Sequence, residues 1–439
     1  MIDLKRLAEA GYREGIAKKG CPPEVVEAAL AADAECRALR AQTEELRARQ
    51  NAASRQIGAA APDERPALIA AAAGLREALD ELGGRLASAE DHLDEVVGRI
   101  PNPAHPSVPA GGEDEGQVLR VVGAAGPAPS LDHAELGEAL GLVDVERAVR
   151  LSGSRFAYLM REAVMLELAL VRWVMGRLVD EGFVPVVPPV LVRGETMEAA
   201  GFFPTERAQV YGVGSASEGS LAELYLVGTA EVPLAGLHFD EILAEGDLPA
   251  RYGGFSTCFR REAGTYGRDT RGLFRVHQFD KVEMFSYAHP ERSDAEHEAL
   301  LGLEESILTD LGLPYRVVTM AAGDLAPPAA RKYDLEVWLP SEGRYREATS
   351  CSNYTDFAAR RARTRYRPSS GGTRLVHTLN GTACAVGRTL LFIFEHWQDA
   401  KGALVVPPVL APLCGFDRVP PAGGGDDREA AGSGAGSEP

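Results

Sequence analysis

The sequence has 439 residues, of which 45% are hydrophobic and 25% are charged, so it can bury a substantial core and differs from a disordered protein. Its 46 lysines and arginines against 64 aspartates and glutamates give a net charge of −18, which excludes a non-specific nucleic-acid coat protein. At this length we expect one large domain with an appendage, or two to three domains.

The cysteines are widely spaced and form no Cys-x-x-Cys pair, which argues against a disulfide framework and against a zinc site. They are Cys21, Cys36, Cys258, Cys351, Cys384 and Cys414. The first five residues contain no apolar signal-peptide core, and no uncharged apolar run approaches the roughly 18 residues of a membrane span. We therefore expect a soluble, cytoplasmic protein with reduced thiols and without zinc.

Between residues 24 and 100, two stretches have the alternating three- and four-residue steps of a heptad seam. The first stretch contains Cys36, Leu39, Thr43, Leu46, Gln50, Ala53 and Ile57. The second contains Ala72, Leu75, Leu79, Leu82, Leu86, Ala89, Leu93 and Val96. Pro62 and Pro66 lie between the stretches and interrupt the helix. The pattern predicts an antiparallel coiled-coil hairpin over about 26–98, with helices of about 30 residues and a length of about 45 Å.

Charge is unevenly distributed over this predicted hairpin. Residues 37–55 contain five arginines and two glutamates, a net charge of +3, whereas residues 67–98 contain two arginines and seven acidic residues, a net charge of −5. One interpretation is that the arginine-bearing helix faces a phosphate backbone. The alternative is an ordinary solvated face or a dimer zipper.

The proline-rich segment 100–109 cannot continue a helix and predicts a domain boundary. We expect an N-terminal domain over 1–112. From 113 to 415 helical stretches mix with alternating, strand-like segments, which predicts a second domain of the α+β class. Residues 416–439 are rich in glycine and have little to bury, so a disordered tail is expected there.

Within the second domain, strands are predicted over 254–263 and 272–286. Strict alternation would place on one face of the second strand Arg275, His277, Phe279, Lys281 and Glu283, and on the other face Val276, Val282 and Met284. Arg260 and Glu262 would share a face of the first strand, so charged and aromatic groups would line one groove. The glycine-rich linking segment 263–272 is expected to be mobile. The alternative is a half-exposed sheet with a charged solvent face.

Two further segments carry polar groups at structurally informative positions. Residues 379–395 are expected to begin as a turn and to continue as an apolar helix with Arg388 near its N-terminal end. A guanidinium beside free backbone N–H groups suits a phosphate. Residues 227–234 are expected to be extended, with Thr229 and Glu231 on one face.

Together these segments resemble the motifs of class II aminoacyl-tRNA synthetases. Residues 259–262 and 271–279 resemble motif two, Gly387-Arg388 resembles motif three, and 186–189, with Pro188, resembles motif one at the dimer interface. With the hairpin, the segments 229–231, 350–353 and 379–382 resemble the seryl-tRNA synthetases. The resemblance runs from Met1 to about Cys414 and implies an antiparallel sheet flanked by helices, in a homodimer.

The resemblance also implies how ATP would be held. Arg260 would hold the α-phosphate, Phe279 would stack on adenine, and Arg388 would grip the purine or the γ-phosphate. Glu262 would contact the adenine amino group, and Glu347 with Ser350 would coordinate Mg²⁺. The implied ATP contacts are Arg260, Arg261, Glu262, Phe279, Glu347, Ala348, Thr349, Ser350 and Arg388, with Arg260 and Arg388 as the catalytic residues.

L-serine would bind beside ATP. Thr229 and Glu231 would take the ammonium group, and Glu283 with Thr382 would bracket the hydroxyl. The implied serine contacts are Thr229, Ala230, Glu231, Arg275, Glu283, Asn380 and Thr382. A site that bonds a hydroxyl rejects ligands lacking one, so alanine and glycine would be poor substrates. Serine tRNA would be held by the hairpin, and selenocysteine tRNA stays open as a second acceptor.

Three alternatives remain at this point. Ala348-Thr349 and residues 395–398 depart from the usual motifs, so a specialised paralogue, serving a biosynthetic pathway or resistance to an inhibitor, stays open. A non-catalytic tRNA-binding relative would have lost motif arginines, which this sequence retains. A ligase that loads a carrier protein would lack the hairpin.

Overall fold

The computed structural model describes residues 1–112, 115–214, 223–264 and 272–421. The chain divides into two compact units. The first contains Met1–Glu115 together with Ala321–Arg331, and the second contains Gly116–Met320 and Lys332–Pro439. Most of the segment predicted to be mobile, 263–272, and residues 422–439 of the predicted tail lie outside the described residues.

The first unit is helical. Its helices are α1 (Ala10–Lys18), α2 (Pro23–Ala59) and α3 (Arg65–Gly98). Every seam position predicted from the heptads is buried or half-buried, and the two long helices run antiparallel, so the hairpin is confirmed. Both helices are longer than predicted, because Pro66 lies in the first turn of α3, where its missing N–H costs nothing, and only Pro62 lies in the turn.

A short segment from the middle of the chain completes the first unit. The Lys19 ammonium donates hydrogen bonds to the backbone carbonyls of Ala326, Pro327 and Ala329 at 2.7–3.0 Å. The Asn102 side chain donates to the carbonyl of Pro328 at 2.8 Å. These contacts join residues far apart in sequence, which explains why no local pattern indicated them.

The second unit is α+β. Its helices are α4 (His133–Ala139), α5 (Val145–Ser152), α6 (Glu162–Asp180), α7 (Gly194–Ala200), α8 (Glu231–Ala235), α9 (Ser293–Asp310), α10 (Phe357–Ala362), α11 (Val386–His396) and α12 (Ala411–Cys414). Its strands are β1 (Gln117–Val122), β2 (Val143–Asp144), β3 (Tyr158–Leu159), β4 (Val184–Val186), β5 (Leu191–Arg193), β6 (Tyr211–Val213), β7 (Leu224–Leu226), β8 (Ile242–Ala244), β9 (Ala250–Phe259), β10 (Gln278–Ala288), β11 (Tyr315–Thr319), β12 (Arg331–Leu339), β13 (Arg344–Thr355), β14 (Arg365–Arg367), β15 (Arg374–Leu375), β16 (His377–Ala385), β17 (Leu404–Val405) and β18 (Arg418–Val419).

An eight-stranded sheet organises this unit in the order β1-β11-β12-β13-β16-β10-β9-β4. The neighbours β13, β16, β10 and β9 pair antiparallel, whereas β4 pairs with β9 in parallel. Apolar residues of α6, α9 and α11 cover one face, where they pack on inward residues such as Val282 and Met284 of β10. The predicted antiparallel sheet flanked by helices is therefore confirmed.

Four local predictions are wrong. The first strand of the groove ends at Phe259 and not at residue 263, because the chain leaves extended geometry at Glu262, whose φ is 50°, so Arg260 and Glu262 do not lie on a strand. The second strand of the groove begins at Gln278 and not at residue 272, because Leu273 and Phe274 leave the strand path and are buried in the core. Residues 379–385 are the central strand β16 and not a turn, because both edges of this segment are paired. Thr229 and Glu231 do not lie on an extended segment, because the chain turns at Thr229 and Glu231 begins α8.

The predicted tail is also too long at its start. Residues Arg418 and Val419 form β18, which pairs with β17. Val419 is buried in the main core, so apolar burial orders the chain beyond residue 416. None of the helices in the described ranges is long and apolar enough to cross a membrane.

Candidate active site

The face of the sheet opposite the main core carries a cluster of arginines. Arg260 follows the last residue of β9, and Arg388 lies in the first turn of α11. The Arg388 Nη1 atom donates to the carbonyl of Glu347 at 2.9 Å, and burial together with the like charges of Arg260, Arg275 and Arg346 lowers its pKa, against the opposing charge of Glu347. Glu347, Glu262 and Glu342 pair with Arg388, Arg275 and Arg346, so three carboxylates face four guanidinium groups and a net positive charge remains, which favours binding of an anion.

Aromatic rings lie among these guanidinium groups. The guanidinium carbon of Arg260 lies 5.4 Å from the centre of the Phe279 ring, which is half-buried on β10. The Phe274 ring lies 3.8 Å from the guanidinium carbon of Arg346 and 4.7 Å from that of Arg388. A flat π-system such as a purine can pack in the same manner between a ring and a guanidinium.

Glu262 and Arg275 form an ion pair beside this cluster. The Arg275 Nη1 atom lies 2.5 Å from the Glu262 Oε2 atom, and Glu262 adopts a left-handed φ of 50°. The resemblance placed Arg275 with the serine-binding residues, but its observed partner belongs to the residues assigned to ATP. Arg261 is exposed, and its backbone N–H donates to the carbonyl of Gln209 at 2.9 Å.

The residues implied to bind magnesium lie on β13. Ala348 packs in the main core and Thr349 donates to the buried Glu304 at 2.9 Å, so two successive side chains face the same side of the sheet. Strand alternation is interrupted there, and Glu347 and Ser350 therefore share the opposite face despite being three residues apart. The side chains of Ala348 and Thr349 point away from the arginine cluster.

Glu347 has the charge that a cation site needs. Its side chain is 45% exposed and lies 3.9 Å from the Lys332 ammonium and 3.5 Å from the Arg388 guanidinium. Burial raises its pKa, but Lys332, Arg388 and Arg260 outweigh that effect, so the pKa lies below its usual value and the carboxylate is ionised. In the described ranges no group of three or more His, Cys, Asp or Glu side chains is arranged to hold a metal.

A small polar pocket lies beside the arginine cluster. Glu283 of β10 pairs in register with Thr382 of β16 and is 1% exposed. Its carboxylate lies 2.5 Å from the ammonium of Lys281, which is also buried. Burial raises the pKa of Glu283, whereas Lys281 and Arg260 act to lower it. One buried cation thus offsets one buried anion.

Glu231 adds a second buried carboxyl group to this pocket. Burial and the neighbouring Glu283 raise the pKa of Glu231 to about 8, while Lys281, Tyr354 and Arg260 act in the opposite direction. Among the described residues the two acids share one lysine in the pocket, and the further charge of Arg260 does not return the pKa of Glu231 to its usual value, so one more positive charge is needed for both carboxylates to ionise. Thr229 supports the pocket by accepting a hydrogen bond from the Glu231 N–H at 3.1 Å.

Two polar atoms of the pocket have unused hydrogen-bonding capacity. Glu231 Oε1 and Asn380 Nδ2 are buried and have no hydrogen-bond partner among the described residues. Natural proteins pair nearly all such atoms, so an unpaired acceptor and an unpaired donor in one pocket indicate a ligand. Ala230 is fully buried, and its methyl group packs close to Gly254, where an added Cβ would lie only 3.1 Å away. Ala230 therefore forms part of the pocket wall.

Sequence reasoning found most of these side chains but missed several. Strand alternation places Lys281 on the correct face but assigns it no role. No sequence pattern indicates the residues that contact the site from other strands, which are Lys332, Asp334, Arg346 and Tyr354. These residues lie within or beside strands whose alternation resembles that of any half-buried strand. Their role depends on which strands become neighbours, which no local signal carries.

Comparisons with known proteins cover almost the whole chain. Residues 216–397 match the tRNA synthetase class II core domain (G, H, P, S and T), and residues 1–104 match the seryl-tRNA synthetase N-terminal domain. The serine–tRNA ligase of Nocardia farcinica is 47% identical over 428 residues, which cover 96% of this chain and 100% of the relative. That of Mycobacterium tuberculosis is 47% identical over 433 residues, with coverage of 96% and 100%.

A solved structure is similar over the same extent. The crystal structure of seryl-tRNA synthetase from Pyrococcus horikoshii complexed with ATP has a TM-score of 0.86 and 37% sequence identity, and the match covers 96% of this chain and 100% of that chain.

Proposed function

The chain belongs to the seryl-tRNA synthetase family, and from this premise we propose that its arginine cluster binds ATP while the polar pocket binds L-serine. Its activity is the ATP-dependent ligation of serine to tRNA, by way of seryl-adenylate. The observation that carries the residue assignment is the unpaired Glu231 Oε1 and Asn380 Nδ2 atoms beside a cluster of four arginines.

The first step joins two anions. The serine carboxylate attacks the α-phosphorus of ATP, the bond to the bridging oxygen breaks, and pyrophosphate leaves. The attacking carboxylate is already ionised, so no general base is required. Arg260 and Arg388 neutralise the phosphates, and Phe279 with Arg388 holds the purine, so positioning and charge neutralisation supply most of the catalysis. Arg261 contacts ATP as the resemblance implies, and Glu262 binds the adenine amino group.

Arg260 connects the two halves of the site. Its charge acts to lower the pKa of both Glu231 and Glu283, so it lies near the serine pocket as well as near Phe279. A group in that position can hold the α-phosphate next to the serine carboxylate. Arg275 reaches the serine carboxylate only after releasing Glu262, which becomes available to adenine.

The polar pocket fits the two polar ends of serine. The ammonium group supplies the positive charge that Glu231 and Glu283 lack. The Thr229 hydroxyl oxygen accepts a hydrogen bond from one of the ammonium N–H groups. Glu283 and Thr382, which face each other in register, take the hydroxyl, and Asn380 supplies a donor. Alanine would leave the Glu283 side of the pocket unpaired, which costs affinity.

Magnesium has an oxygen donor set here that suits it. Mg²⁺ prefers carboxylate and hydroxyl oxygens together with phosphates, and the ionised, half-exposed Glu347 and Ser350 share the face that carries Arg388. When bound, the ion would neutralise phosphate charge. Glu347 also orients Arg388 through its carbonyl oxygen, independently of any metal.

The hairpin holds serine tRNA. All five arginines from Arg37 to Arg55 are exposed on α2 and supply local positive charge on an acidic protein. Such contacts read the backbone and shape of the RNA more than its bases.

A homodimer forms around motif one. Of the eighteen exposed large hydrophobic side chains in the part of the chain that the structure describes, ten lie between residues 149 and 187, including Leu151 at 73%, Leu168 at 56% and Val187 at 80% exposure. Pro188 itself is buried and fixes the chain next to Val187. Exposed apolar surface concentrated in one segment is typical of an interface.

The test is serine-dependent exchange of pyrophosphate into ATP, with charging of serine tRNA measured on the same preparation. The proposal requires both activities, with alanine and glycine giving far less exchange. Exchange without charging would point to a carrier-protein ligase, and tRNA binding without exchange would point to a non-catalytic relative.

A further inference from the structure

The end of helix α11 holds a buried histidine against the chain that enters the ATP site. Helix α11 begins with Arg388 in its first turn and has Glu395 near its end. The Glu395 carboxylate accepts hydrogen bonds from the Ser341 N–H at 2.9 Å, the Ser341 hydroxyl at 2.7 Å and the His133 Nδ1 atom at 2.8 Å. Its side chain is fully buried, so these contacts replace water completely.

Glu395 is ionised in this environment. Burial raises its pKa, but the hydrogen bonds from His133 and Ser341 outweigh that effect, and the pKa lies below its usual value. A carboxylate can only accept, so the proton on the His133 ring is assigned to Nδ1. Gln398 adds a second clamp, because its side chain both donates to and accepts from the backbone of Leu131 at 2.8 and 3.2 Å.

The other side of the His133 ring faces Gly272. His133 Nε2 is buried and has no hydrogen-bond partner among the described residues. A Cβ at Gly272 would lie 2.2 Å from that nitrogen and 2.6 Å from the ring carbon Cδ2, so only glycine fits against the ring. Gly272 also has a φ of +68°, which glycine adopts at little cost.

Gly272 directs the chain toward the arginine cluster. The next residues are Leu273 and Phe274, which are buried, and Arg275, which pairs with Glu262. The Phe274 ring lies against Arg388 and Arg346. A fixed ring behind Gly272 therefore determines where Phe274 meets Arg388.

We propose that His133 is a positioning residue of the ATP site: its ring, oriented by Glu395, is the wall on which Gly272 rests, and it sets the course of residues 273–275. The inference depends on the proposed assignment of Arg388 to ATP. In this proposal, helix α11 has two roles: Arg388 at its start contacts ATP, and Glu395 near its end orients the His133 ring that supports residues 272–275.

The test compares His133→Ala and His133→Asn with the intact enzyme in pyrophosphate exchange. Asparagine retains an N–H for Glu395 but lacks the ring. Both variants should raise the KM for ATP about tenfold, below the roughly 10²-fold loss that a misplacement of a full ångström can cause, and change the KM for serine by less than about twofold. His297→Ala is the matched control, because His297 is also a buried histidine but is bonded to the Cys351 carbonyl at 3.1 Å and stacks on Tyr333. It should lower the melting temperature without changing the KM for ATP.

A double-mutant cycle tests the contact directly. Gly272→Ala should be far more damaging in the intact enzyme than in the His133→Ala background, where the added methyl group has room and only the backbone strain remains. An equal effect in both backgrounds, or a parallel rise in the KM values for serine and ATP, would overturn the proposal.

The controls separate this inference from the site assignment. If Arg388→Ala retains exchange, the assignment of Arg388 to ATP is wrong, whatever the His133 variants do. If Arg388→Ala loses exchange and His133→Ala leaves the KM for ATP unchanged, only the role of His133 fails.

Discussion

The arginines of the hairpin are exposed to solvent, whereas the charged residues of the serine pocket are buried. On the hairpin, Arg37 pairs with Asp33 at 3.0 Å and Arg40 pairs with Glu90 at 2.7 Å, and the arginine side chains are 68% and 52% exposed. Exposed pairs contribute little to stability and are screened by salt. In the pocket, Lys281, Glu231 and Glu283 are all buried, and burial is the largest influence on the pKa of each acid.

This difference indicates what each region can recognise. Exposed arginines along a helix can meet many phosphates weakly, and any one of them contributes a small share. A buried pocket with one missing positive charge and two unpaired polar atoms is costly when empty, and few ligands satisfy it. Recognition of tRNA should therefore be distributed and salt-dependent, whereas recognition of serine should depend on single groups and resist salt.

The largest expected effect comes from the arginine cluster. Arg388→Ala and Arg260→Ala should each lower kcat/KM for pyrophosphate exchange about 10³-fold, since each removes a preorganised charge from the developing phosphate anion. Arg363→Ala is the matched control, because Arg363 is 59% exposed and pairs with Asp240 away from the cluster. The melting temperatures should stay close to that of the intact enzyme. Normal exchange in both variants would refute the assignment.

Shortening the hairpin should separate the two regions. Replacing residues 40–89 with a short Gly/Ser turn keeps the deeply buried base, which includes Val26, Ala29, Val96 and Val97. Transfer of serine to tRNA should fall about 10²-fold because the phosphate contacts are lost, while exchange stays near normal. The two assays are run on one preparation. Equal loss in both would show that the hairpin is part of the catalytic fold, and undiminished charging would show that it does not hold tRNA.

A single carboxylate should decide between serine and alanine. Glu283→Ala should weaken serine activation by about 2 kcal/mol, near 30-fold, as expected for a charge-assisted hydrogen bond in a closed site. Alanine activation should change much less, so the ratio of the two kcat/KM values should narrow. If serine activation is unaffected, Glu283 acts only as a structural partner of Lys281.

Glu231 should make serine binding depend on pH. Its pKa is raised to about 8, so the carboxylate that receives the ammonium forms as the pH rises. The KM for serine should therefore fall between about pH 6.5 and 8.5, and Glu231→Gln should flatten this profile and raise the KM about fivefold. A profile of the variant identical to that of the intact enzyme would contradict the assignment.

The Glu231 carboxylate that favours serine binding should also lower the stability of the protein at high pH. A carboxyl whose pKa is raised on folding contributes stability that is fully present below its unfolded pKa and lost as the pH rises through its folded pKa. At pH 8.5 the buried charge therefore costs stability, and Glu231→Gln should raise the melting temperature by about 3 °C, with less gain at pH 5. Equal changes at both pH values would mean that the group does not titrate as described.

The sequence was sufficient for the hairpin but not for the site. The three- and four-residue steps from Cys36 to Ile57 place these residues on one face of the helix, and that face packs on α3, so periodicity alone locates the buried seam. The site depends on places where regular strand geometry is interrupted. Gly272 turns the chain before β10, and Ala348 and Thr349 face the same side of β13. At Thr229 the chain turns into α8. These features arise from packing between distant segments. Strand alternation misplaced Arg275, which lies before β10 and pairs with Glu262.

A salt titration of both activities tests the central claim most directly. Pyrophosphate exchange and tRNA binding are measured on one preparation between 50 and 200 mM salt. We predict that the KM for serine changes less than about twofold, since the pocket excludes solvent, while the Kd for serine tRNA rises about 10²-fold because counterions compete with exposed arginines. A parallel weakening of serine and tRNA binding, or tRNA binding that does not respond to salt, would contradict the account.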